Sequence, residues 1–254
     1  MLLAIDVGNT NIVLAVFEGE KMIRHWRAGT APDRSPDEYG LLLQQMLSSV
    51  GLELTDIQAA ALSCVVPPME WVILHMLEDY CKIKPLVVGP GIKTGVKILY
   101  DNPKEVGADR IVNAVAALDR YPGPMVVVDF GTATTFDAID ADGAYLGGAI
   151  APGIGISMEA LFRGASKLPR VPFARPDSAI GRTTIQSIQS GLFYGYAGMV
   201  DAMIDKIAEE MGSKVRVLAT GGLGKIIATG SRHIQEVDTL LTLRGLRIIY
   251  EKNR

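Results

Sequence analysis

One pattern occurs twice in this chain and sharply limits what it can fold into. An apolar run, Leu2 to Ile5, closes on Asp6; Val-Gly-Asn-Thr-Asn follows, then a second apolar run, Ile12 to Phe17. Met125 to Val128 closes on Asp129, and Phe-Gly-Thr-Ala-Thr-Thr leads into Phe136 to Ile139. At an offset of 123 residues Asp6 falls on Asp129, Gly8 on Gly131 and Asn9 on Thr132. A glycine turn closes each unit, at Gly19 and, with a one-residue slip, at Gly143. The chain therefore reads as two related halves, 1–120 and 121–254, each opening strand–Asp–x–Gly–turn–strand.

The remaining segments fill in an α/β pattern. Ser35-Pro36-Asp37-Glu38 is a capping box with proline at the first helical position, and Tyr39, Leu42, Leu43, Met46, Leu47 and Val50 follow at helical spacing. Ile57 to Cys64 reads as a buried strand, Pro67 to Tyr80 as a helix and Pro85 to Val88 as a strand. Asn102-Pro103 is expected to open a helix running through Val106 to Leu118. Past residue 150 a loop is expected, then a helix over Thr183 to Met211 interrupted by Gly191, Gly195 and Gly198. Val215 to Ala219 reads as a strand, and Asp238 to Tyr250 as a closing helix.

Composition removes whole classes of function. With 25 basic and 28 acidic residues the net charge is −3, so no overall positive field recruits nucleic acid or anionic lipid. Cys64 and Cys81 cannot form a disulfide framework, and no Cys-x-x-Cys pair offers a metal or redox site. The start carries no positive n-region and meets Asp6 early, which argues against a signal peptide, and the longest uncharged stretch is too short to span a bilayer. A cytoplasmic protein, with neither a membrane nor a nucleic acid as partner, is expected. The basic segment Arg163 to Arg182 has one aromatic residue, Phe173, and several prolines, which suits an exposed loop or flap better than a nucleic-acid surface.

A carboxylate at the end of a buried strand, followed by a glycine turn, has a chemical use. Glycine lets the backbone approach a phosphate, the following N–H groups and Asn or Thr side chains donate to its oxygens, and the carboxylate holds its cations. The bland alternative for either copy is a tight hairpin with a capping aspartate. No Gly-x4-Gly-Lys-Ser/Thr string, helix-opening Gly-x-Gly-x-x-Gly, His-Glu-x-x-His or Gly-x-Ser-x-Gly is present. At Gly107-Ala108-Asp109-Arg110, Asp109 either favours a helix dipole or acts as a general base. In the second case Arg110 would grip an anion, so that the pair suits a substrate with both an alcohol and a carboxylate.

These stretches together resemble the type III pantothenate kinases. The likeness is carried by Asp6-Val-Gly-Asn-Thr-Asn, by Tyr100-x-Asn-Pro with Glu105-Val-Gly-Ala-Asp-Arg, and by Val128-Asp-Phe-Gly-Thr-Ala-Thr-Thr-Phe-Asp. Gly147-Gly-Ala-Ile-Ala-Pro-Gly and Ser187-Ile-Gln-Ser-Gly add to it. The resemblance implies a duplicated ribonuclease-H-like fold, as in actin-like ATPases and in acetate and sugar kinases, with mixed sheets flanked by helices and ATP between the halves. It implies phosphorylation of pantothenate to 4′-phosphopantothenate, the first step of coenzyme A biosynthesis. ATP would be bound by Asp6, Val7, Gly8, Asn9, Thr10, Asn11, Ile12, Val13 and Thr132, with Asp6 near the Mg2+. Asp129 would hold a monovalent cation, potassium or ammonium. Pantothenate would meet Tyr100, Gly107, Ala108, Asp109 and Arg110, with Asp109 as base, and Thr184 would reach it from the partner of a homodimer. The chain departs from the family pattern at Thr183, where Asn is usual. Two rival readings remain: a non-catalytic regulator on the same fold, and a kinase for a different small molecule.

Overall fold

The computed structural model describes residues 1–254, and the chain separates into two compact units. The first contains Met1–Val96, Asp101–Ala116 and Leu241–Arg254; the second contains Lys97–Tyr100 and Ala117–Leu240.

In the first unit the alternating apolar runs form β1 (Leu2–Val7), β2 (Asn11–Glu18) and β3 (Lys21–Gly29), an antiparallel meander whose hairpin turns at Gly19 with φ +58°. Then come α1 (Pro36–Ser48), β4 (Ala59–Cys64), α2 (Pro67–Met76, continued by a π turn to Cys81) and β5 (Leu86–Val87). The sheet order is β3-β2-β1-β4-β5, with β4 and β5 parallel to β1. The capping box at Ser35 forms as its sequence predicts: Glu38 N–H donates to Ser35 Oγ, and Ser35 N–H to the Glu38 carboxylate. Leu43 and Leu47 of α1 and Met69, Ile73 and Met76 of α2 bury against Leu3, Ile5, Val7 and Leu62, all within 1 % of full burial. Each such side chain contributes roughly 1.5–3 kcal/mol.

The second unit repeats this plan. After α3 (Ala108–Arg120), which opens in the first unit, β6 (Met125–Phe130), β7 (Ala133–Ile139) and β8 (Tyr145–Pro152) form a second antiparallel meander, turning at Gly143 with φ +80°. There follow α4 (Ile154–Gly164), α5 (Thr184–Glu210), β9 (Arg216–Gly221), α6 (Gly224–Ala228) and β10 (Glu236–Val237). The order β8-β7-β6-β9-β10 matches that of the first sheet strand for strand. Even the irregularities correspond, since each meander has its bulge between second and third strands, at Val16/Phe17 and at Ala138/Ile139.

Four expectations need correction. The helix expected from Asn102 is instead a single 3-10 turn, Pro103–Glu105, capped by the Asn102 side chain; Val106 is then extended (ψ 123°), and α3 starts only at Ala108. The loop expected past residue 150 begins only at residue 165 and runs to 183. β8 runs to Pro152, and α4 begins at Ile154 because Gly153 takes the extended N-cap conformation. Helix α5 runs unbroken through Gly191, Gly195 and Gly198, since glycine weakens a helix without ending it when the rest of the face is packed. Finally, α7 (Leu241–Asn253) starts at Leu241 and packs on β1, β4 and β2, so it belongs to the first unit although its sequence position lies in the second half. The units thus divide the chain near Ala116 and return it at Leu241, where the sequence reading drew one division after residue 120.

Candidate active site

Asp6 is the penultimate residue of β1 and half-buried. The turn behind it, Gly8–Asn11, is closed by Gly8 N–H donating to Asn11 O at 3.0 Å. Thr30, just past β3, braces it from outside: its hydroxyl donates to Gly8 O (2.6 Å) and its N–H to Thr10 O (3.0 Å). Asn9 and Thr10 are left exposed at the tip, while Asn11, Ile12 and Val13 enter β2 and pair with β1 and β3. The turn therefore presents Asn9 and Thr10 at the surface, with a carboxylate at its base. Thr30 escaped the sequence reading because nothing in its own neighbourhood marks it.

Asp129 holds the equivalent place on β6, opposite Thr135 on β7 and Thr220 on β9. Its turn, Gly131–Ala133, closes with Gly131 N–H donating to Ala133 O (3.0 Å) and carries Thr132 half-buried. Two glycines from later elements lie hard against it. Gly153 N–H donates to Thr132 O at 3.1 Å, and a Cβ at Gly153 would stand 2.1 Å from that oxygen. Gly221 sits at φ +87°, where a Cβ would meet the Asp129 carboxylate at 2.6 Å and Phe130 O at 2.5 Å. On the face of Asp129, Thr135 donates to the fully buried Asp137 (3.4 Å), which also accepts from the Tyr145 hydroxyl at 2.8 Å.

Asp109 stands in the first turn of α3, a position created by the break at Val106 and Gly107. Its Oδ1 accepts from Arg110 N–H (2.9 Å) and lies so close over Gly107 that a Cβ there would be 2.5 Å away. Burial pushes the Asp109 carboxyl above its ordinary pKa; the Arg110 N–H and the Arg110 charge oppose the rise without cancelling it. A carboxylate held slightly too basic is what proton abstraction needs. Arg110 itself is 7 % exposed.

Tyr100 lies in the second unit, its ring over β8 at Gly147, where a Cβ would stand 3.3 Å from the ring carbons. Thr184, the first residue of α5, is exposed and lines a groove of about 740 Å³ with Leu161, Leu168, Arg182, Ser187 and Leu192. Asp129, Thr132 and Tyr100 do not line this groove. Thr183 N-caps the helix, its hydroxyl accepting from Gln186 N–H (3.2 Å), a role asparagine performs equally well. Thus the first unit carries Asp6 to Val13 and Gly107 to Arg110, and the second carries Tyr100, Asp129, Thr132 and Thr184. No three His, Cys, Asp or Glu side chains gather as a metal cage. Magnesium in phosphoryl-transfer sites needs none, being held by one or two carboxylates, waters and the phosphates themselves. No helix is long and apolar enough to cross a membrane. Of the basic segment, Arg163 and Arg170 both pair with Glu159, and Arg175 donates to Thr229 O.

The family model of type III pantothenate kinase matches residues 2–206. A protein described as type III pantothenate kinase from Anaeromyxobacter sp. (strain K) is 58 % identical, over all of both chains. Another so described, from Myxococcus xanthus, is 56 % identical over all of this chain and 99 % of its own. Among solved structures, a ROK hexokinase from Thermus thermophilus superposes with a TM-score of 0.52 at 14 % identity, covering 100 % of this chain and 99 % of its own. The two sheets of like order are the duplicated ribonuclease-H-like fold that actin-like ATPases and ROK kinases share. On the family model and the full-length relatives together, the chain belongs to the type III pantothenate kinase family.

Proposed function

We propose that this chain transfers the γ-phosphoryl group of ATP to the primary alcohol of pantothenate, with Asp109 as general base. The family and its kinase activity rest on the full-length relatives; the assignment of the base rests on one observation, the half-buried Asp109 carboxyl raised by burial beside Arg110. Its balance is simple. The alcohol oxygen bonds to the γ-phosphorus, the bond from that phosphorus to the bridging oxygen of ADP breaks, and the alcohol proton passes to Asp109.

Asp6 and the open turn Gly8–Asn11 fit a nucleotide phosphate with its divalent ion, Thr132 would add a contact, and Tyr100 with Gly107–Arg110 would bind pantothenate. Bound magnesium neutralises charge on the phosphate oxygens. Asp129, at a strand end against Gly221, would hold potassium or ammonium. Thr184 would reach pantothenate across a homodimer, and the apolar groove it lines favours a second copy there. The cytoplasm is the expected compartment.

Asp109→Asn tests the base directly. Turnover should fall by roughly 10²–10⁴-fold, with pantothenate still binding. Near-wild-type turnover removes Asp109 from the role.

A further inference from the structure

Tyr196 lies near the middle of α5, half-buried, with its ring packed against the core of the second unit. Its hydroxyl donates to Pro152 O at 3.0 Å and lies 2.5 Å from Ser157 Oγ in the first turn of α4. A phenol carries one proton, and a carbonyl can only accept, so Ser157 is the donor of the second bond. Ser157, Tyr196 and Pro152 therefore form a directed chain that ends on the last residue of β8.

Pro152 O and Gly153 N–H are the two polar ends of one peptide group, which is planar and stiff about its C–N bond. Tyr196 holds the first end. The second donates to Thr132 O at 3.1 Å, the same oxygen that leaves Gly153 no room for a Cβ. Gly153 O in turn accepts from Ser157 N–H at 3.0 Å, so the first turn of α4 closes on this residue as well. Fixing the Pro152 carbonyl thus fixes the plane of the N–H that meets Thr132, and a donor on the carbonyl strengthens that N–H. In the β7–β8 register Pro152 also stands opposite Ala133, the residue after Thr132.

Stability alone gives little reason for this hydroxyl. Pro152 is exposed, so water can replace the phenol on its carbonyl, and phenylalanine would bury its ring equally well. A water cannot impose a fixed direction, whereas a tyrosine held on a 27-residue helix does.

We propose that Tyr196 is a positioning residue for ATP: by holding the Pro152–Gly153 peptide, it sets the place of Thr132 in the nucleotide site. The inference rests on the reading of Thr132 as an ATP contact. Tyr196 acts on the nucleotide only through that turn.

The test compares the full-length wild type with Tyr196→Phe, Thr132→Ala and the double variant. Steady-state kinetics are measured beside titration of a fluorescent, non-hydrolysable ATP analogue with Mg2+. In Tyr196→Phe, KM for ATP and the dissociation constant of the analogue should rise together by roughly two- to tenfold, the scale of one hydrogen bond. KM for pantothenate should not change, and the melting temperature should fall by no more than about 4 °C. Thr132→Ala should raise both nucleotide constants, and adding Tyr196→Phe should raise them little further. Unchanged nucleotide constants in Tyr196→Phe, with Thr132→Ala impaired, overturn the proposal and leave the reading of Thr132 standing. Unimpaired nucleotide binding in Thr132→Ala defeats that reading, and the proposal with it. ATP and pantothenate weakened alike in Tyr196→Phe, with a larger loss of melting temperature, mark a structural role and overturn it too. So does a full Tyr196→Phe effect in the double variant.

Discussion

Asp6 and Asp129 hold the same register in sheets of the same order, yet the backbone around them is built differently. The turn behind Asp6 spans Gly8–Asn11 and is braced by one side chain, Thr30, leaving Asn9 and Thr10 exposed. The turn behind Asp129 is a residue shorter, Gly131–Ala133, and is held by the backbone of two later segments at Gly153 and Gly221. The duplication kept the strand pairing and the carboxylate and let the surroundings diverge. An open turn suits a mobile polyphosphate, whereas a carboxylate enclosed by backbone suits a small cation.

This contrast can be broken by substitution. Gly153→Ala drives a methyl into Thr132 O and should lower the melting temperature by about 2–12 °C and raise KM for ATP at least ~10-fold. Gly8→Ala meets Asn11 O at 3.3 Å, a tight contact relieved by a shift of a few tenths of an ångström, and should do less; equal damage from the two would mean that the turns are not differently braced. Next in size is Asp129→Asn. The wild type should be active in potassium or ammonium and nearly inactive in sodium, and the variant should be slow in all three. A wild type indifferent to the cation would remove the distinction drawn between the carboxylates.

A smaller effect concerns pH. A base at Asp109, as proposed, works only when deprotonated, so the rate should then fall on the acid side at a pH above the ordinary aspartate value of 3.8. Because its folded-state pKa is raised, the stability it contributes is full below the unfolded value and is lost as pH rises through the folded one. Asp109→Asn should therefore melt higher than wild type at neutral pH and lose that advantage in acid. A variant no more stable at pH 7 would contradict the burial assigned here. The smallest effect separates two helix caps. Ser35→Ala, which breaks the reciprocal box of α1, and Thr183→Ala, which removes the single cap of α5, should each cost about 1 kcal/mol, with Thr183→Asn neutral to a few tenths. Thermal melts of the three variants check this.

The duplication, the strand-end aspartates and the α1 capping box were legible because their signals are local: period, spacing and turn glycines. What escaped depended on contacts distant in sequence. Gly153 earns its place through a turn formed some twenty residues earlier, and Gly221 through a carboxylate on another strand. The break at Val106 was missed because Asn102-Pro103 is a good helix opening, and only the structure shows that it serves a single turn before Gly107 yields to Asp109.

The return of α7 to the first unit has a consequence for how the molecule is made. Apart from Lys97–Tyr100, the second unit is one continuous stretch, Ala117–Leu240, so all of its strands leave the ribosome before α7 does. The first unit begins with the earliest residues but cannot cover β1 and β4 until Leu241–Asn253 has been synthesised. Proteins usually complete their N-terminal domain first during translation. Here the unit that is started first is finished last.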